Sequence, residues 1–152
     1  INWIDFLNED LIRTQLSKLN KKSKPVFGKM NAQQMIEHLS AVTQIANGNW
    51  DITIFVSDEK TARRKPFLNT DNELQVGFKA SFIAEEPNDL KFDSLEDAID
   101  DLILQLKIFV KVFADDKNRT VTHPFFGELN FDYWKKFQVK HFTHHFKQFG
   151  LV

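Results

Sequence analysis

Five histidines and no cysteine set the chemistry open to this sequence of 152 residues. Any transition-metal site must be built from imidazoles and carboxylates, and the chain brings no thiol nucleophile of its own. Three of the histidines, His141, His144 and His145, fall in one stretch, NFDYWKKFQVKHFTHHFKQFG, from Asn130 to Gly150. If that stretch is helical, residues four apart lie about 40° apart around the axis with Cβ atoms roughly 6 Å apart. His141 and His145 then project side by side and can share one ion. His144 is turned about 60° to the other side of His141, where it serves as a third ligand, supports a ligand or is merely exposed. The alternative for the pair is a partly buried polar cluster satisfied by its neighbours. A third ligand decides between them.

The elements that must position these groups read as four helices. The last runs between Asn130 as N-cap and Gly150 as the residue past its end, with Asp132 complementing the dipole in the first turn. Trp134, Phe137, Gln138 and Gln148 share the histidine face, whereas Lys135, Lys136, Lys140 and Lys147 are displaced toward a wet face. Gln148 is placed to orient a ligand imidazole through its second nitrogen. Helix two spans Ala32 to Ala46, opened by Asn31 and Gln34 in a capping-box pattern and stopped by Asn47-Gly48. It carries His38 on an apolar stripe near Met35 and Val42, as a core histidine or as the missing ligand. Apolar spacing predicts helix one from Trp3 to Leu19 and helix three from its N-cap Ser94 to Phe113.

The connections are read as a lysine-rich loop from Lys21 to Lys29, a long crossover over residues 49–93, and a second loop from Asp115 to Leu129. Within the crossover, Asp58 to Arg64 suits a short helix. Glu73 to Ile83 alternates as an extended segment with Leu74, Val76, Phe78 and Phe82 on one face. A connection that long ordinarily covers something, here a groove or one end of the helices.

Four helices joined in this way predict an all-α, single-domain four-helix bundle over residues 1–152, in which helices two and four can be neighbours. His38 then faces His141 and His145. Three neutral ligands with the remaining positions open is the pattern of a catalytic metal site. Met35, Val42 and Phe137 are the expected pocket walls, with Phe78 and Phe82 closing over them. His123 and His144 are the candidates for proton transfer, although His123-Pro124 suits a loop staple equally. Glu37 points about 100° away from His38 along its helix and is not expected to act as a base.

Composition narrows the partners. Hydrophobic residues at 42%, sixteen phenylalanines and only five glycines suit aromatic packing between helices. A net charge of −1 without long runs of one sign gives no footing for nucleic acid or a membrane surface. The N-terminus lacks the basic-then-apolar order of a signal peptide, which leads to a cytoplasmic expectation. The chain opens at Ile1, which fits a processed or engineered chain or the C-terminal part of a longer one.

Two stretches carry a resemblance: MNAQQMIEHL, Met30 to Leu39, and the tail HPFFGELNFDYWKKFQVKHFTHHFKQFGL. Together they resemble the DinB/YfiT-like superfamily of metal-dependent enzymes, most closely a branch of domains of unknown function with a similar HPFFG, KH, HH and QFG tail. The resemblance implies an up-down-down-up bundle and a divalent metal, usually nickel or zinc, held by His38, His141 and His145. Relatives include thiol transferases using bacillithiol, mycothiol or glutathione, a mycothiol-using isomerase and hydrolase-like members, and other branches have lost the metal. The expectation is therefore a hydrolase or a thiol-dependent transferase acting on a small electrophile, with a low-molecular-weight thiol as cosubstrate. Some relatives are connected with phenylacetate breakdown, as a domain beside an oxepin-CoA hydrolase. The rival expectation is thus a non-catalytic accessory or docking domain, partnered by an upstream enzyme domain or a second copy as a homodimer.

Overall fold

A computed structural model describes residues 2–50, 58–76 and 89–152. The described chain is mostly helical: α1 (Glu9–Leu16), α2 (Ala32–Ala46), α3 (Asp58–Arg64) followed by a 3₁₀ turn (Lys65–Asn69), α4 (Leu95–Asp115) and α5 (Phe131–Gln148). A two-stranded hairpin, β1 (Val121–His123) and β2 (Gly127–Leu129), precedes α5. Each of the four longer helices starts where a short polar side chain takes up an otherwise unpaired amide. Asn8 accepts from Leu11, Asn31 from Gln34, Ser94 from Asp97 and Asn130 from Tyr133. In α2 the Gln34 side chain also accepts from the Asn31 amide, completing the capping box.

Three expectations need correction. Helix one is shorter than Trp3 to Leu19: before Asn8, Ile4 and Phe6 are buried while Asp5 and Leu7 are exposed, a period of two rather than of a helix. The Ile4 amide donates instead to Thr143 Oγ1 on α5 at 3.0 Å. The loop from Asp115 to Leu129 contains the antiparallel hairpin, so the fold is not purely α. Its strands are three residues long, too short for a period to register, and Gly127 at φ +82° lets the chain turn back. Of the proposed extended segment Glu73 to Ile83, the described part is irregular, with Leu74 buried and Val76 exposed; Phe78 and Phe82 lie outside the described residues.

The core is a seam between α2 and α4. Met35, Ile36, Leu39, Val42 and Ile45 pack with Ala98, Leu102, Leu106 and Phe109. Polar side chains cross the same seam in ascending order, Ser40 to Asp101 and Asn47 to Gln105, so the two helices run in the same sense. A parallel pair cannot be joined by a tight turn, which explains the long crossover between them. Opposed to α2 runs α5, since Thr43 meets Gln138 while His38 meets His141. Opposed to α4 runs α1, through Arg13 with Asp100 and Glu9 with Lys107.

The hairpin is pinned by His123, which is buried. Its Nδ1 accepts the backbone N–H groups of Phe125 at 3.0 Å and Phe126 at 3.3 Å, and its ring lies 4.3 Å from that of Phe137. Burial pushes the imidazole down to about 3, so it stays neutral and an acceptor.

Two measurements test this account. Phe142 is fully buried against Phe6 and Phe146, so Phe142→Ala should cost about 3–5 kcal/mol in urea denaturation. Removing exposed Leu104 should stay within about 0.5 kcal/mol. Because His123 titrates near 6.5 when unfolded and at about 3 when folded, the unfolded chain binds its proton first. Stability should therefore fall as pH drops from about 6.5 toward 3, by up to about 1.4 kcal/mol per unit from this residue. H123N keeps an acceptor and should show a shallower acid slope than wild type.

Candidate metal centre

α5 reaches the interior as one apolar and imidazole line, with Trp134, Phe137, His141 and His145 all buried. Its C-terminus closes with Gly150 at φ +68°, the Gly150 amide on Lys147 O and the Leu151 amide on Phe146 O, a double-bonded stop of the Schellman kind. The helix is therefore regular through His145 and Gln148. Across from it, α2 is held by Gln138 Nε2 donating to Thr43 Oγ1 at 2.9 Å. One turn from that bond, His38 comes opposite the pair.

The three histidines converge through one kind of atom. His38 Nε2 is 3.0 Å from His141 Nε2, which is 3.1 Å from His145 Nε2. All three ligand atoms fall within 4.8 Å of one another. The rings meet edge to face, with centroids 4.7 to 4.9 Å apart. Phe137 stacks on His141 at 5.0 Å and closes one side of the cluster. His141 and His145 are buried, and His38 on α2 is the partly exposed member of the three.

Burial dominates the electrostatics. It pushes His38 down to about 4 and holds His141 and His145 well below the usual histidine range, each lowered further by its histidine neighbours. Three neutral rings follow, and neutral rings must share out their protons. His145 Nδ1 lies 2.8 Å from Gln148 Oε1, which can only accept, so the proton sits on Nδ1 and Nε2 presents a lone pair. If His141 carries its proton on Nε2, one N–H faces two acceptors and its buried Nδ1, which has no partner among the described residues, stays bare. If it carries the proton on Nδ1, a buried N–H is unpaired and lone pairs confront each other. A cation among the three Nε2 atoms removes the conflict. The residues fit a divalent ion: nitrogens at about 2.1 Å in a facial set stand roughly 3.0 Å apart and in a tetrahedral set about 3.4 Å.

The other candidates are placed as follows. His144 is half-buried beside the cluster, with Nδ1 3.3 Å from Leu74 O and its ring 5.3 Å from Phe27. His123 sits behind Phe137 with Nδ1 engaged in the hairpin turn. Gln148 joins His145 on one side and donates to Phe27 O at 3.0 Å on the other. Met35 and Val42 are buried in the core, and a described cavity of about 510 Å³ lies elsewhere, lined by Trp3, Leu68, Asn69, Thr70 and Lys140 among others.

Sequence reasoning missed three supports. Lys140, expected on the wet face, is buried: its ammonium donates to Thr70 O at 2.7 Å and to Asn72 O, and lies over the rings of Trp3 and Phe67. Glu37 accepts from the amides of Lys91 and Phe92, pinning the returning crossover one residue from His38. The Phe27–Gly28 backbone reaches Gln148 from the lysine-rich loop. Only the glycine carried a signal, and it marked a connecting loop.

Residues 85–150 match the model of a family described as a protein of unknown function, DUF1569. The matched region includes α4, the hairpin and α5, and with them His123, His141 and His145, and it leaves out α2 with His38. Neither the curated proteins nor the solved structures contain a significant match to this chain.

Proposed function

We propose that this chain is a metal-dependent enzyme on a DinB/YfiT-like four-helix bundle, with a divalent ion, nickel or zinc, held by His38, His141 and His145. The observation that carries this reading is the convergence of three Nε2 atoms whose protons cannot satisfy one another. The helix senses, α2 with α4 and α5 and α1 opposed to them, support an up-down-down-up arrangement. So does the resemblance carried by the helix-two and tail motifs.

Three neutral ligands leave the charge of an ion uncompensated and part of its coordination sphere free, the composition of a catalytic site. Such an ion would supply Lewis acidity, lowering the pKa of a water or thiol presented to it. The sequence holds no cysteine, so a thiol enters as a cosubstrate. The chain's own residues do the rest. Phe137 keeps water off one face of His141. Gln148 holds the His145 proton on Nδ1. His144, donating from Nδ1 to Leu74 O, keeps its Nε2 free to take a proton from an incoming nucleophile. His123, with Nδ1 committed to the turn, acts here as the staple of the hairpin. The substrate is a small, largely uncharged electrophile, because Lys136, Lys140 and Lys147 are each engaged along α5 and none is turned to the cluster. The reaction is hydrolysis or transfer to a low-molecular-weight thiol.

Elemental analysis of protein purified without added metal should find about one nickel or zinc per chain. H141A and H145A should lose it while far-UV circular dichroism remains helical, since the α2–α4 core does not depend on the ion. A wild-type protein that takes up neither ion on titration would overturn the reading in favour of a non-catalytic docking domain. Metal-loaded protein incubated with thiols and small electrophiles should turn over, and H141A should fall to background.

A further inference from the structure

We infer that the Val26–Gly28 turn is the positioning element of the histidine cluster: through Gln148 it selects the tautomer of His145, and so which ring nitrogen faces His38 and His141. The affinity part of this inference rests on the metal reading above, whereas the tautomer is a property of the protein without metal.

Phe27 O can only accept, and the Gln148 side-chain nitrogen lies 3.0 Å from it. That contact settles which end of the amide is nitrogen, since the flipped amide would set oxygen against oxygen. Oε1 is thereby turned to His145 Nδ1 at 2.8 Å, and Nδ1 must supply the proton. What remains on His145 is a bare Nε2, directed at His141 Nε2 at 3.1 Å.

The turn is built to keep the amide there. The Val26 amide donates to the Gln148 main-chain oxygen at 2.7 Å, so residue 148 is held by backbone and side chain at once. Gly28 takes φ +82°, and a Cβ on it would lie 2.6 Å from Gln148 Nε2. Glycine is therefore required for the backbone conformation and for the approach of the amide. The Phe27 ring packs on His144, so the turn covers the outer side of the same helix end. Among the described residues no equivalent device serves His141, whose buried Nδ1 has no partner there. Among the described contacts of the cluster, His145 is the histidine whose orientation is imposed from outside.

The test compares wild type with Q148L, G28A and the double variant, each checked for helicity by circular dichroism. In metal-free protein labelled with ¹⁵N-histidine, two-bond ¹H–¹⁵N correlations should show His145 protonated at Nδ1 in wild type. Q148L and G28A should shift the proton toward Nε2. Zinc titrated against a competing chelator should bind about 10–100-fold more weakly to Q148L and more weakly also to G28A. In the Q148L background, G28A should cause little further loss, because the glycine acts through the amide. An unchanged His145 tautomer in Q148L, or losses that simply add in the double variant, would overturn the inference. A tautomer shift in a protein that binds neither zinc nor nickel even as wild type would keep the inference and remove the metal reading instead.

Discussion

Three imidazole nitrogens facing one another in a helical interior form an arrangement that neutral rings cannot satisfy alone. Burial keeps His38, His141 and His145 unprotonated, and one ring's N–H cannot serve both neighbours at 3.0 and 3.1 Å. The penalty for such a cluster is comparable to losing one or more buried hydrogen bonds, and the α2–α4 and α5 packing must outweigh it. The three histidines could hold a cation that would resolve this conflict, and the surrounding contacts keep the three rings in place.

Two features do this from the crossover side. Along α5, Lys136 binds Asn69, Lys140 binds the carbonyls of Thr70 and Asn72, His144 meets Leu74 O and Lys147 pairs with Glu73. Residues 69–74 thus run beside the helix from Lys136 to Lys147, past His145. On the other helix Glu37 takes the amides of Lys91 and Phe92, one residue before His38. The described parts of the crossover are thus tied to both histidine-bearing helices beside the cluster. Lys140 shows the cost of that arrangement: burial lowers its pKa, and nearby Asp71 and Glu73 partly restore it. Two carbonyls and two rings around the ammonium supply what solvent would have supplied.

The hairpin plays a comparable part behind the cluster. His123 organises its turn, packs on Phe137, and Phe137 in turn packs on His141. Trp134 Nε1 donates to Val121 O, fixing the hairpin against the first turns of α5. α3 and the 3₁₀ turn lie outside it, with Arg64 over the Phe125 ring and Lys65 on Glu128 O. A histidine that looks catalytic in sequence is accounted for by this packing, since its acceptor nitrogen is already spent on the backbone.

By itself the sequence determined the four longer helices and most of their ends, because caps such as Asn31, Ser94 and Asn130 and the 3.6-residue apolar period act within a few residues. It also determined that His141 and His145 share a face, since helix geometry alone requires it. What it could not settle were matters of long-range partnership. Whether His38 was a core histidine or a third member depended on α5 lying against α2, a contact across 103 residues. Lys140 was read as wet because charge predicts exposure, and only the arrival of Thr70 and Asn72 carbonyls makes its burial tolerable. Ile4 and Leu7 fitted a helical spacing, yet the Ile4 amide is claimed by Thr143 on a distant helix. Gly28 fell within the lysine-rich connecting loop, and its role of leaving room for the Gln148 amide exists only once the chain is folded. Local hydrogen bonds and side-chain periodicity are written in adjacent residues, whereas the partners that buried polar atoms require come from elsewhere in the chain, and only the tertiary structure decides which ones arrive.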